Sequence, residues 1–485
     1  MLRHFKQLGK DSVIYLGGTF LAKLISIFVI LIYTRVLPTQ LYGTLDIVLI
    51  STIALTTLVD LGLSTALSMF YFQTIDKNER KIVISTAFIF SAFVSICMCL
   101  IAISASPQIA TIFLKNRGYA GYLIIAFATL PFSQIITLGA NLFRLNFKPV
   151  SYLTIILGNA ILGATVSIYL VIVSKMGLSG IFYGSLVSAI IFSLITIYLN
   201  RDTLGWKFSL QKIKQLLQIG LPLAPAGLLI WIMDSSGRYF LVHFKTLEEI
   251  AWYSIGLKFA GLLSIIAVAF KLANTPFQFS VAENFKAKKI YSKTLTYYLL
   301  IGAFLVATLS IFGRELLQIA TPSQYLEAYK IIPLLAFSFI IYGLYQIIGI
   351  GLILTKKTKF FTYSIAIGAI TSLLFNRLLV PSFGNIGSAT ATVLSYLTGL
   401  AFIYFWSQRF YHINFAIKKI LTVYSLLVVL IIIGLLIQGP LLIVNILLKL
   451  LLICILILIL YFNLETTERR ILKSFLSNAL KIKAV

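Results

Sequence analysis

Apolar residues run in long blocks along this chain, with neither strand-like alternation nor a single helical stripe. About fourteen blocks, most of them roughly 18–25 residues long, are separated by short polar loops. A helix rising ~1.5 Å per residue needs about 20 such residues to cross the ~30 Å hydrocarbon core of a bilayer. Helices are predicted near 12–34, 43–70, 82–105, 120–140, 150–173, 178–199, 216–241, 251–273, 295–313, 331–354, 361–380, 385–407, 420–438 and 440–461. The expected fold class is an all-α polytopic membrane protein with about 14 transmembrane helices. No loop between blocks exceeds ~20 residues, too short for a soluble catalytic domain.

The charge between the blocks alternates. Every second loop is basic: 27 of the 40 Lys and Arg fall in one set of loops and ends, 7 in the other, and the remaining 6 inside the blocks. Lys and Arg accumulate on the cytoplasmic side of membrane proteins, so both termini are expected in the cytoplasm. Composition agrees, with 60% hydrophobic and only 11% charged residues. The net charge of +26 is parcelled loop by loop, which points to anionic headgroups and topology, and away from nucleic acid. Arg3, Lys6 and Lys10 precede an apolar run to Thr34 without a small-residue cleavage site, so an uncleaved first helix is expected. Cys97, Cys99 and Cys454 lie inside apolar blocks and form no disulfide framework. Beyond the last block, Ile471, Leu472, Phe475, Leu476, Ala479 and Leu480 share a helical face beside Arg469, Arg470, Lys473, Lys481 and Lys483, the pattern of an amphipathic helix on the membrane surface.

An internal repeat organises the blocks. Gly177–Ser188 and Gly384–Ser395 both fit G-x-x-G-x-x-x-[GA]-x-x-x-S at an offset of 207, and each opens the sixth helix of a half. Tyr42-Gly43 and Tyr253-Ser254, at an offset of 211, each start a second helix. An even helix count per repeat gives both halves the same orientation, with an axis along the membrane normal. The expected organisation is an N-terminal lobe over 1–200, a C-terminal lobe over 201–410, two extra helices over 411–462 and a cytoplasmic amphipathic tail over 463–485. Gly17, Gly18, Pro222, Pro225 and Pro276 are candidate bending points.

Ionisable groups deep in a membrane are costly and mark function. Lys23 lies eleven residues from either end of the first helix, roughly 16 Å, too far to snorkel. It needs an aqueous cavity or an anionic partner. Asp234 and Arg238 are spaced i,i+4 and can pair on one face. Lys258, Lys271 and Arg377 add deep or near-deep cations, with Asp46 and Asp60 as acids on the second helix. Lys449 has no assignable role. Within the two halves the balance is positive, so Lys23, Arg238, Lys258, Arg377 and Lys271 are read as lining a cationic cavity for an anionic substrate. Asp60 and Asp234 are read as charge partners or as sites of proton or sodium coupling. A Walker A loop, a His/Cys metal pattern and a nucleophile elbow are all missing, so neither an enzyme, a catalytic residue, a metal nor a resident cofactor is expected.

Short pieces along the chain, in order, carry a family resemblance. They are Arg35-Val36-Leu37-Pro38 with Tyr42-Gly43, Asp60-Leu61-Gly62-Leu63 with Ala66-Leu67, and Asp234-Ser235-Ser236-Gly237-Arg238-Tyr239. Then come Ala251-Trp252-Tyr253-Ser254, Glu327-Ala328-Tyr329 with Ile332-Pro333, and Asn376 with Pro381, Gly384 and Gly387. The chain resembles the polysaccharide transporter branch, the O-antigen and capsule flippases, of the multidrug/oligosaccharidyl-lipid/polysaccharide exporter superfamily. The resemblance implies a fourteen-helix, two-lobed fold working by alternating access in the bacterial inner membrane. The implied substrate is a polyprenyl-diphosphate-linked oligosaccharide, moved from the inner to the outer leaflet, with membrane lipids, a polysaccharide polymerase and a chain-length regulator as partners. The chain departs from the family at Ser68-Met69, where a basic residue often stands. Other readings are a drug exporter of the same superfamily, a flippase for a peptidoglycan precursor or teichuronic acid, and, in a different class, a membrane-bound glycan polymerase, which would need long outer loops.

Overall fold

The structure, a computed structural model, describes residues 2–74, 76–205, 207–439, 442–464 and 469–470. The amphipathic tail expected beyond residue 463 lies almost wholly outside the described residues. Nine helices form the first half: α1 (Leu2–Val36), α2 (Thr39–Asp60), α3 (Leu63–Gln73), α4 (Lys77–Ser104), α5 (Ser106–Phe113), α6 (Ala120–Phe127), α7 (Leu130–Leu145), α8 (Pro149–Ile172) and α9 (Leu178–Asn200). The second half comprises α10 (Leu210–Phe244), α11 (Leu247–Ala260), α12 (Leu262–Ser280), α13 (Ala287–Ile311), α14 (Gly313–Ala320), α15 (Ile332–Ile348), α16 (Ile350–Leu354) and α17 (Lys359–Phe410). Two more, α18 (Ile417–Leu436) and α19 (Leu442–Phe462), pack on α13 and on each other.

Among the described residues, eleven helical stretches are long and apolar enough to span a bilayer, α2 with α3, α6 with α7 and α15 with α16 each counting as one, and the pair α11–α12, bent by 41°, makes a further span. The 52-residue α17 is broken at Gly384 and counts twice. With α1, the architecture holds the fourteen expected spans. Large apolar side chains such as Phe93, Leu100, Leu194, Phe405 and Ile443 face outward, as a lipid-facing belt requires. The face on which α1 begins carries the basic loops and is called the basic face below. The other is the opposite face.

The repeat is visible in the backbone. Gly177 (φ 58°, ψ −136°) and Gly384 (φ 52°, ψ −130°) adopt the same left-handed conformation at equivalent hairpins, each just before the sixth helix of its half. Only glycine reaches this region without strain. The second helices of the two halves, α2 and α11, pack against each other at the opposite face.

The candidate bending points lie inside continuous helices. The helices continue through Gly17, Gly18, Pro222, Pro225 and Pro276. They break at Leu61–Gly62, Gly261, Gly349 and Gly384 instead. A proline removes one hydrogen bond, which a long membrane helix tolerates when neighbours re-satisfy the freed carbonyl. A left-handed residue ends the helix outright. Leu61 (φ 47°) and Gly62 (φ 72°) do so between α2 and α3. There the backbone lies against α10, and a Cβ on Gly62 would stand 2.2 Å from the Gly220 carbonyl oxygen.

Candidate functional site

The polar residues that matter cluster where the two halves meet and inside the first half. At the opposite face, Asp46 of α2 is the centre. Its Oδ1 accepts the Ser254 hydroxyl at 2.8 Å, and its Oδ2 lies 3.2 Å from Arg238 Nε in a charge contact that is not an aligned hydrogen bond. Both residues are buried, Asp46 8% and Arg238 5% exposed. The Arg238 guanidinium sits 5.6 Å from the centre of the Tyr253 ring. Around this pair, Ser51 and Tyr239 share a hydroxyl–hydroxyl bond at 2.9 Å, and the Trp231 indole donates to the Ile50 carbonyl at 3.1 Å. Tyr325 donates to the Leu37 carbonyl at 3.2 Å and meets Tyr42 edge-on. α11 is aimed by its own start: Thr246 caps it, and the Glu249 carboxylate accepts the Asn385 backbone N–H at 2.9 Å, beside the Gly384 break. Outside the spans on this face, Lys330 donates to Glu327 at 2.6 Å, and that bond raises the lysine above its ordinary pKa.

The seven predicted site residues do not converge on one cluster. Lys258 donates to the Tyr42 hydroxyl at 3.0 Å and reaches the edge of a cavity of about 360 Å³ enclosed mainly by α1, α2, α8 and α9. Lys23 crosses from α1 to the α11–α12 bend, donating to the Gly261 carbonyl at 3.0 Å and to the Ser264 hydroxyl. A cation suits the C-terminal end of α11, where carbonyls lack helical partners. Lys23 thus meets a helix end, neither the carboxylate nor the open water that its depth suggested. Arg238 turns to Asp46, so the i,i+4 pairing with Asp234 gives way to a contact across the halves. Asp234 instead accepts the Tyr396 hydroxyl, with the Tyr342 ring edge-on to Tyr396. Arg377 is exposed near the opposite face, its guanidinium 4.9 Å from the Phe244 ring centre. Lys271 is exposed on the basic half of α12. Asp60 lines a second cavity, about 410 Å³, between α2, α3, α7 and α10, where it accepts from Ser64 and, at 3.4 Å, from Gln134.

Two contacts have no reading in the sequence. Asp46, given no role beyond being an acid on the second helix, is the centre of the opposite-face contact. Lys449, without a role by sequence, is 1% exposed and donates to Glu315 of α14 at 2.6 Å. A third cavity, about 340 Å³, is apolar and lined by Leu55, Phe113, Trp231, Tyr239 and Phe240.

Residues 32–330 match the family described as "Polysaccharide biosynthesis protein", which is more than half of the chain. The chain belongs to that family. This polysaccharide biosynthesis protein matches no curated protein in sequence. Its fold is that of the multidrug/oligosaccharidyl-lipid/polysaccharide superfamily transporters. A lipid II flippase MurJ in an inward closed conformation superposes with a TM-score of 0.76 at 15% identity, covering 93% of this chain and 99% of MurJ. An inward-facing multidrug resistance MATE family transporter gives 0.65 at 15%, covering 82% and 97%. A superfamily transporter from Pyrococcus furiosus, described as having a binding pocket of reverse polarity, gives 0.60 at 15%, covering 83% and 95%. The chain is a multi-pass membrane protein.

Proposed function

We propose that this protein is a flippase that moves a polyprenyl-diphosphate-linked oligosaccharide from the inner to the outer leaflet of a bacterial inner membrane by alternating access. The observation that carries the reading is a buried ion pair, Asp46–Arg238, closing the two halves at one face beside a polar cavity within the membrane. Such a contact must be broken and remade if the halves rock about the cavity. The family match and the transporter fold support a lipid-linked glycan as cargo over a drug.

On this reading the basic face is cytoplasmic, with both termini there. The cargo's headgroup enters between the halves while its lipid tail stays in the bilayer. Lys258, at the cavity edge, and Lys23, which reaches the α11–α12 bend, are the cations toward which the diphosphate is drawn. Asp60 and Asp234 are the candidate acids for proton or sodium coupling. O-antigen and capsule repeat units are the cargo classes, and the polymerase that consumes them outside is the natural partner.

The test is mass spectrometry of polyprenyl-diphosphate oligosaccharides after deleting the gene in its native host, with leaflet accessibility scored by an impermeant sugar probe. A completed unit trapped on the inner leaflet is the expected result. No trapped intermediate in a host lacking a second flippase refutes the reading. Transport left intact in Lys23→Met, Lys258→Met and Arg377→Met variants refutes the cationic attraction.

A further inference from the structure

The cavity edged by Lys258 has a lining that selects one chemistry. Nine of its nineteen lining residues are polar, yet none is acidic and Lys258 is the one charged member. A metal ion needs carboxylates, and none is offered. A diphosphate calls for several cations or free N–H groups, and the lining offers a single ammonium, Lys258, at its edge. An apolar drug wants aromatic walls. Tyr33 is the only aromatic lining residue here, and the Phe113–Trp231 cavity provides such walls elsewhere. What remains is a hydroxyl-rich, uncharged guest.

The donors and acceptors fit that guest. The Ser188 hydroxyl shares its one hydrogen between the Asn159 backbone carbonyl, at 2.7 Å, and the Asn159 side-chain oxygen, at 2.8 Å, and the Asn159 NH₂ group is left to donate. Ser167 and Ser185 both give their hydrogens to the Ile181 carbonyl, at 3.0 Å each; the Ser167 oxygen meets the Tyr33 hydroxyl, and the Ser185 oxygen is left to accept. A fixed acceptor beside a fixed donor is what sugar hydroxyls, each both donor and acceptor, can satisfy together. The hydroxyls also continue outward. Thr129, Ser133, Thr137 and Asn141 recur every four residues along α7, one face of the helix. Thr129 and Ser133 line this cavity, whereas Thr137 lines the second one, nearer the basic face.

We infer that this cavity is the binding site for the sugar rings of the cargo, separate from the cations that meet its diphosphate, and that the α7 stripe is the polar track by which the glycan reaches it. The inference rests on the flippase reading above and adds to it where the glycan sits. Asn159 and the serines of α8 and α9 hold the ring hydroxyls, and Lys258, at the edge, marks where the sugar site gives way to the diphosphate.

The experiment is equilibrium binding by native mass spectrometry on the full chain, with two probes: undecaprenyl diphosphate and the lipid-linked oligosaccharide extracted from the native host. The wild-type chain is expected to bind the glycosylated lipid about tenfold more tightly or better, the worth of one or two net hydrogen bonds. Asn159→Leu removes the donor, and Ala164→Leu fills the cavity without touching a hydrogen bond. Each is expected to erase that preference while holding undecaprenyl diphosphate within about twofold of wild type. Equal wild-type affinity for the two lipids, a preference that survives both variants, or a parallel loss for both lipids overturns the inference and leaves the flippase reading standing. A wild-type chain that binds neither lipid overturns the flippase reading as well.

Discussion

Replacing Asp46 with asparagine is expected to open the opposite face. The substitution keeps the side chain's shape, and the amide oxygen can still accept from Ser254, but the counter-charge 3.2 Å from Arg238 is gone. Arg238 is only 5% exposed, so water cannot replace the carboxylate while the halves stay together. The Tyr253 ring at 5.6 Å remains, a cation–π contact worth about 1–2 kcal/mol when desolvated. Breaking a buried pair from one side costs about 3–5 kcal/mol. Only the conformation in which the halves touch at this face bears that cost. Taking ~3 kcal/mol, the ratio of open to sealed molecules rises by roughly a hundredfold. Ser51, buried against Tyr239 next to the pair, is the reporter. In a chain whose Cys97, Cys99 and Cys454 are first replaced by alanine, Ser51→Cys is labelled with a membrane-impermeant thiol reagent from the opposite face. Labelling in the Asp46→Asn background should accelerate by one to two orders of magnitude. In the double variant Asp46→Leu/Arg238→Met it should return close to the starting rate, because an apolar pair of similar volume replaces a buried ion pair at little cost. Labelling unchanged by Asp46→Asn refutes the reasoning, and so does a double variant as open as the single one.

Other perturbations have equally definite outcomes. Gly62→Ala places a methyl 2.2 Å from the Gly220 carbonyl oxygen at a φ of 72°, so the chain is expected to lose about 1–3 kcal/mol or more, read as a fall in Tm in detergent, whereas Gly17→Ala, with open space around it, should melt like wild type. Lys449→Met strands the Glu315 carboxylate and should cost about 3–5 kcal/mol, with most of the Tm restored in Lys449→Met/Glu315→Gln. Lys23→Met leaves the Gly261 carbonyl without its charged donor, and a loss of about 1.5–3 kcal/mol is expected in melting curves. Asp60→Asn should remove any dependence of flipping on an imposed proton gradient if Asp60 carries the coupling proton. Gradient-dependent flux in that variant, measured in proteoliposomes, assigns the role elsewhere.

The helical architecture was legible because its causes are local. Block length sets the span count, and loop charge distinguishes the two faces. The repeat was legible for the same reason, since Gly177 and Gly384 are needed by their own backbones. The site was legible only in its inventory. Asp234 and Arg238 are neighbours on a helix, which is the pairing that spacing can see, yet Arg238 finds Asp46 from 192 positions earlier in the chain. Spacing cannot rank that partner, because the packing of α2 against α10 decides it. Lys449 and Glu315 were hidden in the same way. The prolines carry a different signal. They mark where a hydrogen bond is lost, whereas the breaks fall where the backbone turns left-handed or a glycine ends the helix, at Leu61–Gly62 and Gly261. The serines of α8 and α9 carry no signal individually, since each also suits close helix packing.

The Lys449–Glu315 pair has one more consequence. It fastens α19 to α14, and α18 and α19 otherwise pack on α13, all on one side of the molecule. A load strapped to one arm of a lever travels with that arm. In the proposed rocking motion the last two helices sweep through lipid with the second half, and the first half moves against a lighter shell. The two arms therefore meet unequal drag from the bilayer, and a stiffer or thicker membrane should slow the stroke of one more than the other.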